Sequence, residues 1–320
     1  MDLHYLVDNL TNPALLFFFL GLIAVNLKSD LKIPDNSSKF ISLYLLLAIG
    51  FKGGQELAHS IITSEIIWSI LFGVLLALVV PIYCYFILRQ KLSVENSGAI
   101  AAAYGSVSAV TFVTTISFLE MSNISFGGHM VAIMALMEAP SIIVGVLLIS
   151  IYNEDIHTKT SFNTVIRHSL TNGSVVLIIG SLFVGYFTND AQAAGIKPFT
   201  TDIFKGFLAV FLLDMGITSG EKLKVLIKKG WFTLSFAVII PIINGCLVAL
   251  ISSLFMEEIG NRLLMAILAA SASYIAVPAA MKLAVPKANP GLYVPMALAI
   301  TFPFNITIGM PLYLFIIERC

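Results

Sequence analysis

The stretch AYGSVSAVTFVTT, Ala103 to Thr115, sets two serines and a glycine inside a chain that is otherwise oily. Shifted by 165 residues it meets LAASASYIAVPAA, Leu268 to Ala280, which places Ser106 over Ser271 and Ser108 over Ser273. The matching extends outward. LLLAIGFKGGQEL, from Leu45 to Leu57, aligns with FLLDMGITSGEKL, from Phe211 to Leu223, at an offset of 166, and MALMEAPSI and MALAITFPFN end alike near an offset of 162. The chain therefore reads as two copies of one plan.

Composition names the solvent. Over 320 residues, 58% are hydrophobic and 11% charged, with a mean hydropathy of +0.95. A soluble domain carries about twice that charge, so the chain reads as an all-α polytopic membrane protein. Zero net charge offers no platform for nucleic acid. Cys84, Cys246 and Cys320 follow no framework or ligand spacing. The first twelve residues hold Asp2 and Asp8 but no Lys or Arg, so the apolar run from Pro13 reads as a first span and not as a cleaved leader.

Apolar runs fall near 13–27, 40–52, 64–88, 97–119, 127–152, 172–187, 203–219, 229–255, 260–284 and 291–316. The expectation is ten transmembrane helices. The first, second, sixth and seventh are shorter than the roughly 20 residues a straight span needs, so they extend into flanking polar residues or are irregular. Thirteen of the eighteen Lys and Arg residues lie in loops on one side, which the positive-inside rule makes cytoplasmic, with both termini outside. The expected location is the plasma (inner) membrane. Five spans is an odd number, so the second copy enters from the opposite face. The expected organisation is two inverted five-helix repeats, residues 1–152 and 172–320, joined by a short cytoplasmic linker at 153–171, as in many secondary transporters.

Both Ser-x-Ser stretches fall near the centres of their spans, the fourth and the ninth, so they are expected to meet at mid-bilayer. Tyr104-Gly105-Ser106 is a poor run for an uninterrupted helix, and Pro278 follows Ser273 closely. Helices 4 and 9 are therefore expected to be broken, and non-helical backbone at that depth survives only where it lines a cavity. Helix N-termini and serine hydroxyls are donors suited to a small oxyanion. The structural alternative is that the serines only pack helix against helix. Glu138, beside Pro140, is an acid near the middle of the fifth span, and such a group marks function by default, as a cation ligand or proton carrier. Its repeat counterpart lies at or near Thr301, an oxygen donor of the kind a sodium site uses. Asp214 is the other intramembrane acid, either a ligand or a helix-end residue reaching water. Catalysis finds no support: the five histidines fall in or beside loops, and Lys282 stands roughly 13 Å of helix from Ser273.

With these residues in place, the chain resembles the cyanobacterial sodium-dependent bicarbonate transporter family, above all in YGSVSAVT, Tyr104 to Thr111, in Glu138-Ala139-Pro140, and in AASASYIAVPAAMKLAVPKANPGLY, Ala269 to Tyr293. The resemblance implies a homotrimeric secondary transporter that imports bicarbonate with sodium as the coupling ion and has no other cofactor, with a trimeric PII-like protein as a regulatory partner. It implies a substrate site at Gly105, Ser106, Ser108, Thr111, Ser271, Ala272 and Ser273. Glu138 stands where that family has an aspartate, and the cation set drawn from both readings is Glu138, Ser108, Ser273, Thr301 and Asp214. The chain departs from the family pattern at Ala109 and Val110, where the pattern has Gly-Ser, and at Ala272 and Tyr274, where it has a further serine and an aspartate. Asp214 would replace the charge lost at Tyr274. Two other readings stay open: a carrier of the same fold for another small anion or solute, coupled to protons, and a receptor or channel.

Overall fold

The computed structural model describes residues 12–61, 63–152, 166–167, 170–227 and 230–320, and most of the expected linker at 153–171 lies outside the described residues. Those described are helical or irregular, with no strand among them. In chain order the helices are α1 (Pro13–Asn26), α2 (Asp35–His59), α3 (Ser64–Leu88), α4 (Val94–Gly105), α5 (Ala109–Met121), α6 (His129–Tyr152), α7 (Gly173–Phe187), α8 (Asp190–Lys197), α9 (Phe204–Ile227), α10 (Trp231–Ile251), α11 (Ile259–Ala270), α12 (Ala276–Ala284) and α13 (Pro290–Ile317). A π-turn at Pro198–Asp202 links α8 to α9, and two more interrupt α13 at Ala297–Thr301 and Asn305–Gly309.

Among the described residues, six segments are long and apolar enough to cross a membrane: Ser64–Leu88, Val94–Met121, His129–Tyr152, Asp190–Leu223, Trp231–Leu254 and Pro290–Ile317. Their outward faces carry large apolar side chains, among them Trp68, Leu71 and Leu75 on α3 and Ile239, Ile243 and Leu247 on α10. Such a surface suits lipid and not water. The short apolar runs resolve in two ways. The second and seventh grow to helices of 25 and 24 residues by taking in polar ends, whereas α1 and α7 remain at 14 and 15 residues. Asn12 and Asn172 cap those two helices, each side chain accepting a hydrogen bond from a backbone N–H two residues on.

The helices pack in two groups. In one, α1 lies along α9, α2 along α7, and α2 and α9 touch. In the other, α3 packs on α4 and α6, and α10 packs on α11 and α13. The first group is held by backbones brought into contact at glycine. A side chain at Gly216 would strike the carbonyl of Phe18, and one at Gly21 would strike the carbonyl of Leu213. Gly185 against Phe51 and Gly54 against Leu182 do the same between α7 and α2. Such close approach suits helices in lipid, where association rests on packing rather than on expulsion of water.

Gly180 is the natural control, since nothing lies within 4 Å of the place its side chain would occupy. Gly216→Val is expected to destabilise the protein by about 1–3 kcal/mol through overpacking, and Gly180→Ala to leave the melting temperature in detergent unchanged. Thermal melting of the two variants side by side checks this.

Candidate functional site

The fourth and ninth apolar runs are both interrupted, at Ser106–Ser108 between α4 and α5 and at residues 271–275 between α11 and α12. The second break comes before Pro278, which sits in the first turn of α12 where a missing N–H costs nothing. Inside a bilayer every backbone group freed by a break needs a partner, and here the two breaks supply one another. The Ser273 N–H donates to the Ala103 carbonyl at 2.8 Å. In the reverse direction the Ser108 N–H donates to Ser271 Oγ at 2.9 Å, and that hydroxyl donates onward to the Leu268 carbonyl at 3.0 Å.

Neighbouring helices take up the other carbonyls at the ends of α4 and α11. Ser141 Oγ donates to Ala102 at 2.8 Å, Asn244 Nδ2 to Ala269 at 3.1 Å and Asn305 Nδ2 to Ala270 at 2.8 Å. Five carbonyls at these helix ends, those of Ala102, Ala103, Leu268, Ala269 and Ala270, are thus engaged. Ser108 caps α5, its Oγ accepting from the Thr111 N–H, but the N–H groups of Ala109 and Val110 have no acceptor within the helix. Ser273 Oγ takes the Val277 N–H at 3.4 Å in the same way. The hydroxyls of Ser106 and Thr111 are buried without a protein partner.

A small cavity lies against these donors. Its walls include Val107, Ser108, Ala109 and Val110 from the first break, Ser273, Tyr274 and Ile275 from the second, and Glu138 from α6. Leu46 of α2 and Ser174 of α7 close it from the other helix group. Its open space is about 20 Å³, room for one water molecule. The structure therefore brings Ser108, Ser273 and Glu138 together, whereas Ser106, Thr111, Ser271 and Ala272 are buried but do not line the cavity. Gly105 serves close packing: a side chain there would collide with Pro81 and Ser141.

Two residues of the expected cation set lie elsewhere. Thr301 Oγ1 donates to the Ala237 carbonyl at 2.7 Å and meets the Tyr104 hydroxyl at 2.8 Å, and it does not line the cavity. The Asp214 carboxylate accepts from Ser38 Oγ of α2, a contact within the first helix group. Sequence reading missed Tyr274 and Ser174 as cavity residues. A tyrosine in an apolar run carries no mark of facing inward, and Ser174 sits at a helix start where serine is common.

A family model described as the Na+-dependent bicarbonate transporter superfamily matches residues 13–318. The chain belongs to that superfamily. It is a multi-pass membrane protein and a transporter. A comparison with curated proteins finds no match.

The hydroxyl relay gives an internal test. Ser271→Ala leaves the buried Ser108 N–H without its acceptor and is expected to cost about 1–3 kcal/mol. Ser106→Ala removes a hydroxyl that has no protein partner and is expected to leave stability unchanged, so a transport defect in that variant would report on substrate. Melting curves and uptake measured on both variants separate the two effects.

Proposed function

We propose that the protein imports bicarbonate together with sodium, holding both in the cavity between the two breaks. The observation that carries this reading is the imbalance of hydrogen-bonding groups. At the breaks the carbonyls of Ala102, Ala103, Leu268, Ala269 and Ala270 accept from protein donors, whereas the N-terminal turn of α5 and the Ser108 and Ser273 hydroxyls stand at the cavity wall, with the partnerless Ser106 and Thr111 hydroxyls buried in and beside the first break. A site rich in donors and free of fixed cations suits a small oxyanion that has to be released again. Glu138 is the exception, a carboxylate set among the donors. Beside an anion it is repulsive unless a cation accompanies the substrate, and a hard cation favours such oxygens. Ser108, Ser174, Ser273 and Tyr274 bring hydroxyls to the same cavity wall. The membership of the family in a sodium-dependent superfamily is in keeping with this arrangement.

In this reading the chain is ten spans in two inverted halves, 1–152 and 172–320, with α4–α5 and α11–α12 as the broken fourth and ninth. The packing supports it. The pairing of α2 with α7 is mirrored by that of α9 with α1, and α3 on α4 and α6 is mirrored by α10 on α11 and α13. The glycine contacts follow the same relation, Gly21 and Gly185 standing 164 residues apart in sequence. The side rich in Lys and Arg is then cytoplasmic, and the protein lies in the plasma membrane with its ends outside.

Uptake of labelled bicarbonate in cells lacking other carbon importers, with and without sodium, tests the reading directly. Uptake that requires sodium is expected. Glu138→Gln is expected to weaken the dependence on sodium more than apparent substrate affinity. An uptake indifferent to sodium but abolished in its pH dependence by Glu138→Gln would show that the proton is the coupling ion.

A further inference from the structure

Tyr274 is the largest side chain on the cavity wall. It sits in the second break, between Ser273 and Ile275, where the backbone belongs to neither α11 nor α12. Its ring stands edge-on to Phe302 of α13, with centroids 6.4 Å apart, and Phe302 in turn meets Phe18 of α1 at 5.7 Å. Its hydroxyl points the other way, to Met215 Sδ of α9 at 3.7 Å, and interacts with the Ser108 side chain. Tyr274 thus packs against both of the protein's apolar clusters, the one around α1, α2, α5, α9 and α11 and the one around α3, α4, α10 and α12. It lies at the seam between them, and the side chains of both helix groups touch it.

The cavity holds only about one water molecule with this side chain in place. A carbon with its oxygens needs more room than that, so something on the wall has to give way. The serines are small; Ser108 caps α5, and Ser273 Oγ accepts from the Val277 N–H. Val107 and Ile275 share the breaks but are short side chains, and Glu138 and the remaining walls lie on helices. Tyr274 is long, sits on non-helical backbone, and its hydroxyl donates to a thioether, a weak acceptor, at 3.7 Å.

We propose that Tyr274 is the specificity residue of this site, a plug whose phenol occupies the space the substrate takes and so limits substrates to the smallest oxyanions. The proposal rests on the reading of the cavity as the substrate site. Swinging the ring aside opens room for one small planar anion, and the same ring, still attached at the wall, excludes an anion with a carbon chain. Met215 and Ser108 hold it in the filled position when no substrate is bound.

The test has two readouts. Ala109, on the cavity wall, is replaced by cysteine in a protein whose three native cysteines are alanine, and labelling by a small membrane-permeant thiol reagent is timed. Tyr274→Ala is expected to speed labelling about tenfold, equivalent to ~1.4 kcal/mol. Tyr274→Leu, which keeps an apolar side chain for folding, is expected to do the same more weakly. Competition by formate, acetate and pyruvate against bicarbonate uptake is then compared in proteins with the native cysteines. Acetate and pyruvate are expected to compete with Tyr274→Ala and not with the unmodified protein, and Tyr274→Phe, which retains the ring, is expected to keep excluding them. Unchanged labelling in both Tyr274→Ala and Tyr274→Leu would overturn the plug, and an unchanged competitor range in Tyr274→Ala would overturn the size limit. If the unmodified protein takes up no bicarbonate, the substrate reading fails instead, while the labelling comparison still decides whether Tyr274 fills the cavity.

Discussion

Interrupting two helices at the depth of a bilayer exposes backbone groups that lipid cannot satisfy, and the architecture follows from how that demand is met. Ser273 gives its N–H to the Ala103 carbonyl, and Ser108 gives its N–H to Ser271, which passes a hydrogen bond to Leu268. Each break is tolerable only because the other lies against it. The two links differ by one hydroxyl, direct in one direction and relayed by serine in the other.

Everything nearby fits this constraint. Ser141, Asn244 and Asn305 satisfy the carbonyls that the breaks leave over, and Tyr83 in turn holds Asn244 through its side-chain oxygen. Hydroxyls, the first turn of α5 and one carboxylate line the cavity, and the proposal of an anion with a companion cation rests on that set. The first helix group has a different task. Its glycine contacts join α1 to α9 and α2 to α7 as closely packed pairs, and it meets the cavity through Leu46, Ser174 and, by way of Tyr274, Met215. A body packed at its own glycines and touching the site through few side chains is suited to move as a unit against the group that carries the breaks. Lys52 of α2 forms an ion pair with Glu120 at the end of α5, a link between the two groups away from the cavity.

The sequence made the breaks legible because hydroxyls and glycine are conspicuous in apolar runs, and because they recur at one offset. Glu138 stood out for the same reason, a charge where charge is costly. What stayed hidden was direction. Thr301 and Glu138 occupy related places in the two halves, yet Thr301 turns toward Ala237 and Tyr104 on a helix interrupted by π-turns, and a π-turn shifts the facing of every residue after it. Asp214 was visible as an acid but not its partner Ser38, which comes from another helix. Tyr274 was marked in the sequence as a departure from the family motif, but nothing there showed that its ring lines the cavity. Long-range pairings of this kind have no local signal, so pattern gave the helices and their breaks, and packing gave the site.

The central claim is that the meeting point of the two breaks is where the anion binds. An experimental structure determined in the presence of bicarbonate and sodium tests it most directly. The account predicts anion density against the first turn of α5 and the Ser108 and Ser273 hydroxyls, with Tyr274 displaced and the Ser273 to Ala103 hydrogen bond intact. Density at a place remote from both breaks, or breaks that lie apart with an unbroken helix between them, would contradict it.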